Sequence, residues 1–545
     1  MNPSTGSLFT DQNLSRRTVL KRLAVLGAAS AVPDLAFCLA KDNASMKRKN
    51  ILFIQTDSHD GRLLGCLGNP AMRRATPNID ALAKRGFLFR NAYTNNPICC
   101  PSRSSMWSGQ YTHRCEAWNN YKGLAKGTRT FQTDLEEAGY QFQIFGKVDI
   151  TSGKHTVRAR VSPWTRSARI MLPNFNEAAP QVLPEDRERV FEGDWNQVDA
   201  TLNWLRTERK SNAPFCVYLG LEQPHPGFRT VQRYLDRIEA TEITVPATDG
   251  DKHPALEYQR ISKNWEHGFS EEMVRKVRHV YYAMIAEVDA MVGRTLDGLR
   301  EMGLEDDTIV IFTSDHGELA MEHQQFYKMS FYEASARIPM IIAGPGIPKG
   351  CTSDSLVSLI DIYPTLMDLA GVPQPAGLDG HSFLPEVRGE KNSRPDWVMG
   401  EYHDCTSCTG QFMLRQGDWK YICWVGYDPQ LFNVAADPGE MTNLAKSRPD
   451  IVREMDAKLR GIVDYEAVDA KVKAYDRASF RAWRDERKRL GDYERLMGKT
   501  FSGWDSVNDD QITPWTPERE QLITDWLDAP QKIAVPPYFP AATAS

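Results

Sequence analysis

Two apolar runs lying far apart in the chain share one plan: Asn50-Ile51-Leu52-Phe53-Ile54-Gln55-Thr56-Asp57 and Asp307-Thr308-Ile309-Val310-Ile311-Phe312-Thr313-Ser314-Asp315-His316-Gly317. Each is continuously apolar rather than alternating, as a strand buried on both faces must be, and each closes on a carboxylate. Strands of this kind occupy the middle of open α/β sheets, where ligands collect at the carboxyl ends. Further strand-like runs at Phe87–Ala92, Phe142–Phe145, Phe215–Leu219 and Met340–Ala343 alternate with three-and-four apolar spacing at Ile79 to Leu82, Val198 to Leu205 and Val274 to Leu299. That spacing predicts amphipathic helices. The fold class is therefore α/β, a large central mixed sheet flanked by helices.

After residue 400 the rhythm changes. Met413-Leu414-Arg415 and Trp419-Lys420-Tyr421-Ile422-Cys423-Trp424 read as antiparallel strands joined at Gln416-Gly417-Asp418, and Gln430-Leu431-Phe432 as a further strand. Asp469 to Arg495 is charged and reads as helical. A chain of 545 residues exceeds what a single core usually fills. The expected division is a catalytic domain at 47–400 and a small α+β subdomain at 401–545.

The formal net charge of -5 excludes a generic polyanion-binding surface, and no nucleic-acid partner is expected. Ten cysteines in this length are too sparse for a disulfide scaffold, and Cys405-Thr406-Ser407-Cys408 reads as a loop. Ser15-Arg16-Arg17-Thr18-Val19-Leu20-Lys21 is a twin-arginine pattern, followed from Leu23 to Ala31 by an apolar stretch too short for a stable membrane span. The expectation is a signal peptide over 1–40, cleaved after Ala40, and export of folded protein by the twin-arginine machinery to a bacterial periplasm or beyond.

Cys99-Cys100-Pro101-Ser102-Arg103 fits the pattern C-x-P-S-R. With the two Asp-terminated strands in the same order, it resembles the type I sulfatases, whose fold is an alkaline-phosphatase-like sandwich. The resemblance implies that a formylglycine-generating enzyme oxidises Cys99 to an aldehyde. A thiolate or alkoxide that took a sulfuryl group would be trapped as a stable ester. A geminal diol escapes, because its second oxygen can expel sulfate and restore the aldehyde.

By the same resemblance Asp57, Asp315, His316 and the Cys99 diol hold one divalent cation, calcium first, with magnesium or manganese as alternatives. The family usually has Asp-Asp and Asp-Asn at these strand ends; Ser58 and His316 stand in the second positions here. Asp-His also resembles related phosphonate and phosphodiester hydrolases. Arg103, Lys147 in Phe145-Gly146-Lys147, His225 in Gln223-Pro224-His225-Pro226 and Lys328 ahead of Glu333 to Pro339 lie at the family's cationic positions. Two like charges about 5 Å apart repel by roughly 3 kcal/mol at an effective dielectric near 20, so such a cluster selects anions. Lys328 or His225 is the expected general acid.

Longer runs, among them Trp118-Asn119-Asn120-Tyr121-Lys122-Gly123-Leu124, Gly146-Lys147-Val148-Asp149 and Ser314 through His323, resemble the arylsulfatase K group, which acts on glucuronate 2-O-sulfate. The implied substrate is a sulfated saccharide of glycosaminoglycan type. Asn119, Asn120, Lys122, Lys154 and Arg166 are candidates for its carboxylate. Trp118 and Trp164 are candidates for stacking, and His155 for the place of a histidine that Asp149 replaces. Two alternatives stay open: a phosphodiester or phosphonate monoester hydrolase, and a catalytically silent saccharide-binding relative in which Cys99 remains a thiol.

Overall fold

The computed structural model describes residues 48–151, 157–168, 178–248, 253–263, 265–501 and 512–528. The twin-arginine segment, Lys154 and His155 lie outside these residues. Among them thirteen strands form: β1 Asn50–Thr56, β2 Gly86–Tyr93, β3 Gln141–Gly146, β4 Gln181–Leu183, β5 Phe215–Gly220, β6 Arg229–Val231, β7 Thr308–Ser314, β8 Arg337–Ala343, β9 Cys351–Ser358, β10 Trp397–Tyr402, β11 Gln411–Gln416, β12 Trp419–Trp424 and β13 Gln430–Asn433.

Seven of them make one sheet in the order β3-β5-β1-β7-β8-β2-β9. Every adjacent pair is parallel except β7 with β8 and β8 with β2, so β8 alone runs against the rest. The two Asp-terminated runs pair directly along their whole length, Asn50 beside Thr308 through Thr56 beside Ser314. Their apolar residues divide by the two-residue period. Leu52, Ile54, Val310 and Phe312 enter one core, beneath the helices Pro77–Lys84, Glu192–Thr207 and Glu271–Glu301. Ile51, Phe53, Ile309 and Ile311 enter the other, beneath Cys99–Ser108, Phe131–Glu137 and Ile362–Ala370. A strand apolar at every position is thus explained by a core on each face.

The helices begin where the sequence supplies caps. Glu271–Glu301 starts at Ser270, whose hydroxyl accepts the Met273 N–H. Pro77–Lys84 has proline at its first position, and buried Asp289 accepts the N–H groups of Asn78 and Ile79. The second sheet, β10-β11-β12-β13, is antiparallel throughout. Its β11–β12 hairpin turns at Gly417, where φ is 54°. Cys405 to Cys408 lies in the loop before β11. No helix among the described residues is long and apolar enough to cross a membrane.

Candidate active site

Four adjacent parallel strands deliver four polar side chains to one edge of the large sheet. Lys147 follows β3, His225 lies in the loop after β5, Asp57 follows β1 and Asp315 follows β7. Because β8 runs the other way, the segment entering it, with Lys328, reaches the same edge, and β2 leaves from it toward Cys99. Gly146 and Gly220 let β3 and β5 close up there: a Cβ on either would stand 2.0 Å from a backbone oxygen of the other strand's end.

Cys99 is the first residue of a ten-residue helix buried at every position. Pro101 costs this helix no hydrogen bond, since the first-turn N–H groups have no partner within it. The Cys100 N–H is taken by the Asn120 side chain at 3.0 Å. One turn on, the Ser102 hydroxyl donates to the Asp315 carbonyl at 2.7 Å, joined there by the Thr94 hydroxyl. Arg103 Nε donates to Asp315 Oδ2 at 2.8 Å, and Nη1 donates to the Lys147 carbonyl and to the Tyr218 hydroxyl, each at 2.9 Å. Its Nη2 donates to the Thr56 carbonyl and lies 3.8 Å from Asp57 Oδ2. The guanidinium therefore ties the ends of three strands together.

Asp57, Cys99, Asp315 and His316 each offer a ligand atom within 4.8 Å of the others, all buried. His316 Nδ1 is within 2.9 Å of the Gly317 carbonyl, which assigns its proton to that side. Nε2 then presents a lone pair 3.3 Å from Cys99 Sγ, 3.6 Å from Asp315 Oδ1 and 3.7 Å from Asp57 Oδ1. Oxygen ligands about 2.3–2.6 Å from one cation span edges of this size. Ser58, at φ 68°, turns its N–H back to Asp315 Oδ1. Two carboxylates, an imidazole and one sulfur or oxygen atom fit a divalent cation.

Cations crowd this centre. Lys147 Nζ stands 2.6 Å from Asp57 Oδ2, and Lys328 Nζ stands 4.0 Å from Oδ1. Burial opposes ionisation of Asp57, yet Lys147, Lys328 and the neighbouring histidines hold its carboxyl well below the usual range. Burial, with Asp57 second, pushes the Cys99 thiol up to about 12, so the unmodified side chain is a neutral S–H. Burial and then Lys328 keep His225 well below the usual imidazole range.

The rim residues fare differently. Asn119 accepts the Tyr121 and Lys122 N–H groups through Oδ1 and so builds a turn. Lys122 pairs with Glu116 at 3.3 Å and lies over the rings of Trp118 and Tyr475. Trp118 and Arg166 are 1% exposed, Trp164 4%; Arg166 is held by Asp476 at 3.1 Å. Of these, Lys122, Trp164 and Arg166, expected on a saccharide-facing rim, pack against the helix Tyr465–Leu490. Residues that the sequence did not single out complete the frame. Asp194 accepts the Glu222 and Gln223 N–H groups at the root of the His225 loop, and Glu318 accepts those of Ala320 and Tyr327 beside Lys328. Nothing local marks either one: Asp194 is an acid in the first turn of a helix, which is ordinary, and Glu318 lies in irregular chain.

Comparison with known proteins identifies the family. The Sulfatase family model matches residues 49–372, and a model described as N-sulphoglucosamine sulphohydrolase, C-terminal, matches 321–464. The chain is 42% identical to arylsulfatase K of Bos taurus over 462 residues, 80% of this chain and 85% of that protein. It is 41% identical to arylsulfatase K of Homo sapiens over 490 residues, 84% and 91% of the two chains. Among solved structures, phosphonate monoester hydrolase of Agrobacterium radiobacter aligns with a TM-score of 0.62 at 22% identity, covering 78% of this chain and 96% of that one. A 2-O GAG sulfatase aligns with a TM-score of 0.60 at 25% identity, covering 80% and 94%. The mixed seven-stranded sheet with its small antiparallel companion is thus the alkaline-phosphatase-like sulfatase fold.

Proposed function

Because the chain belongs to the type I sulfatase family and is a sulfate ester hydrolase, we propose that its substrate is the 2-O-sulfate of glucuronate in a glycosaminoglycan-type saccharide. The observation that carries this reading is the meeting of Cys99, Asp57, Asp315 and His316 at one point under Lys147 and Lys328, in a chain more than two-fifths identical to an arylsulfatase K. The likeness to a 2-O GAG sulfatase supports the 2-O position.

The hydrate of an oxidised Cys99 would supply the attacking oxygen, and a divalent cation, calcium as the reading of the two carboxylates, would supply positive charge beside it. Asp57, Asp315 and His316 hold that cation. Arg103 fixes both carboxylates and the strand ends, so its part is to keep them aimed as negative charge moves. Lys147 and Lys328 take the sulfate oxygens. Lys147 is bound closely to Asp57, whereas Lys328 stands farther off and is the cation with reach toward the departing oxygen, to which it delivers a proton. His225, beside Tyr327, lines the same side.

The twin-arginine pattern supports export of the folded, already oxidised chain; the vertebrate relatives do not speak to it. Mass spectrometry of the peptide carrying Cys99 tests the chemistry, with aldehyde expected and full-mass thiol in every active preparation fatal to it. Hydrolysis of a 2-O-sulfated glucuronide is expected to exceed that of a phosphodiester. The reverse preference would hand the site to the second reading, which Asp315-His316 favours.

A further inference from the structure

The segment that presents Lys328 does not hold its own shape. Between Ala320 and Met329, six non-glycine residues have positive φ: Ala320 41°, Met321 75°, His323 52°, Gln324 55°, Tyr327 72° and Met329 81°. L-residues rarely adopt such angles, and a run of them persists only where surrounding contacts impose it. Three of those contacts converge on the residues flanking Lys328. The Leu319 N–H donates to the Tyr327 carbonyl at 2.7 Å, the Met329 N–H to the Pro97 carbonyl at 3.2 Å, and the Tyr327 N–H to Glu318 Oε1.

Glu318 is the one side chain in this set. It is completely buried, it also accepts the Ala320 N–H at 3.2 Å, and its Oε2 has no hydrogen-bond partner. A buried carboxyl group with one oxygen left unpaired is costly, and the two amides that Oε1 accepts are what fix it in place. The same short segment therefore runs from the metal-ligand pair Asp315-His316 to a carboxylate that grips both ends of the Lys328 loop.

We propose that Glu318 is a positioning residue that sets the Lys328 ammonium at the sulfate. It does so by pinning the Ala320 and Tyr327 amides at the two ends of the Lys328 loop, without touching substrate itself. The proposal rests on the reading of Lys328 as a sulfate-side cation, but not on the identity of the saccharide. An ammonium held within a few tenths of an ångström outperforms one that must be ordered in the transition state.

The test is a double-mutant cycle on the full-length, matured enzyme with 4-nitrophenyl sulfate, the fold of each variant being checked by urea denaturation. Glu318→Ala is expected to lower kcat/KM about 30-fold, and Glu318→Gln, which keeps an acceptor oxygen for both amides, to stay within about fivefold of the parent. In a Lys328→Ala background the same Glu318→Ala change is expected to cost less than about twofold, because the group it serves is gone. An equal loss in both backgrounds overturns the proposal, as does a glutamine variant as impaired as the alanine one. If Glu318→Ala does not fold, Glu318→Asp runs the same cycle, since a carboxylate one methylene shorter cannot reach both amides. A Lys328→Ala enzyme with full activity would remove the lysine from the site and the proposal with it. The uronate reading, measured on another substrate, would be left to stand or fall by itself.

Discussion

Around Asp57, the permanent cations Arg103, Lys147 and Lys328 stand against Asp57, Asp315 and, 3.9 Å from Lys147, Asp149, and the cluster opens outward through Lys147, whose side chain is 22% exposed. Around Lys420 the carboxylates close over one lysine. That fully buried lysine stands 2.6 Å from Glu333 and 2.8 Å from Glu440 and donates to the Phe331 carbonyl, while Tyr93 donates to Glu333 and the partly exposed Arg337 stands 3.7 Å from it. This second cluster ties β12 to the segment that enters β8, with Lys420, Glu333 and Glu440 all buried. Both groups bury charge at a cost. The closed one joins two sheets, and the open one brings two lysines to the candidate ligand atoms beside a way in. Burial of charge alone does not mark a catalytic site; cations gathered on ligand atoms with a way in do.

The largest effect that can break this contrast is on turnover. Lys328→Met should lower kcat/KM for sulfate esters by about 10²- to 10³-fold, as loss of a preorganised charge usually does, with the urea midpoint unchanged or raised. Full activity, or a collapse of stability in place of activity, would erase the distinction. Lys420→Met should behave oppositely. Two carboxylates lose their shared cation, so denaturant titration should show a loss of about 3–5 kcal/mol while the kcat of the folded fraction stays within about threefold. A stable, inactive Lys420 variant would mean that the second cluster also serves the chemistry.

A third, smaller cluster sharpens the comparison through pH. Glu401 Oε1 lies 2.9 Å from His113 Nδ1, and Oε2 lies 3.2 Å from His403 Nε2. Burial opposes its ionisation, but His113 and then His403 hold the Glu401 carboxyl down to about 2. A folded pKa below the unfolded one gives stability that is present above the ordinary glutamate range and lost as pH falls through about 4 toward about 2. His113 is raised, burial notwithstanding, by Glu401, so its share is present in mild acid and fades as pH rises through the imidazole range. Glu401→Gln should therefore cost about 2 kcal/mol near pH 5.5 and progressively less toward pH 2. A gap that is constant with pH would show packing, not charge, at this junction.

How far the sequence foretold these clusters depends on what each rests on. The strands β1, β5 and β7 are apolar at nearly every position, so their burial on both faces and the carboxylate that ends two of them could be read directly. So could the signature helix, because its residues are adjacent in the chain. The edge strand β9, Cys-Thr-Ser-Asp-Ser-Leu-Val-Ser, and the three-residue strands β4 and β6 carry no such pattern and went unread. Asp194 and Asn120, and Glu318 through Tyr327, act on backbone amides of residues that only the fold brings near, and no periodicity encodes that. Arg166 likewise went unread as a packing residue, because its partner Asp476 lies on a helix that begins only at Tyr465.

Lys122 gives the smallest and most discriminating measurement. It is a lysine beside the signature helix, and from sequence it belongs with Lys147 and Lys328 as a substrate cation. In the fold its ammonium lies between Glu116 and the faces of Trp118 and Tyr475, while Lys471 approaches the same glutamate. Burial lowers its pKa, and no carboxylate of the metal-ligand set is among its partners. A cation already engaged by a carboxylate and two rings has little to offer a passing uronate, and its removal costs only those contacts, about 1 kcal/mol in denaturant titration. Lys122→Ala should leave kcat/KM on a sulfated glucuronide within about twofold, since no preorganised transition-state charge is lost. A tenfold rise in KM on the saccharide, with 4-nitrophenyl sulfate unaffected, would put Lys122 back on the substrate rim and extend the open cluster to the signature helix's far side.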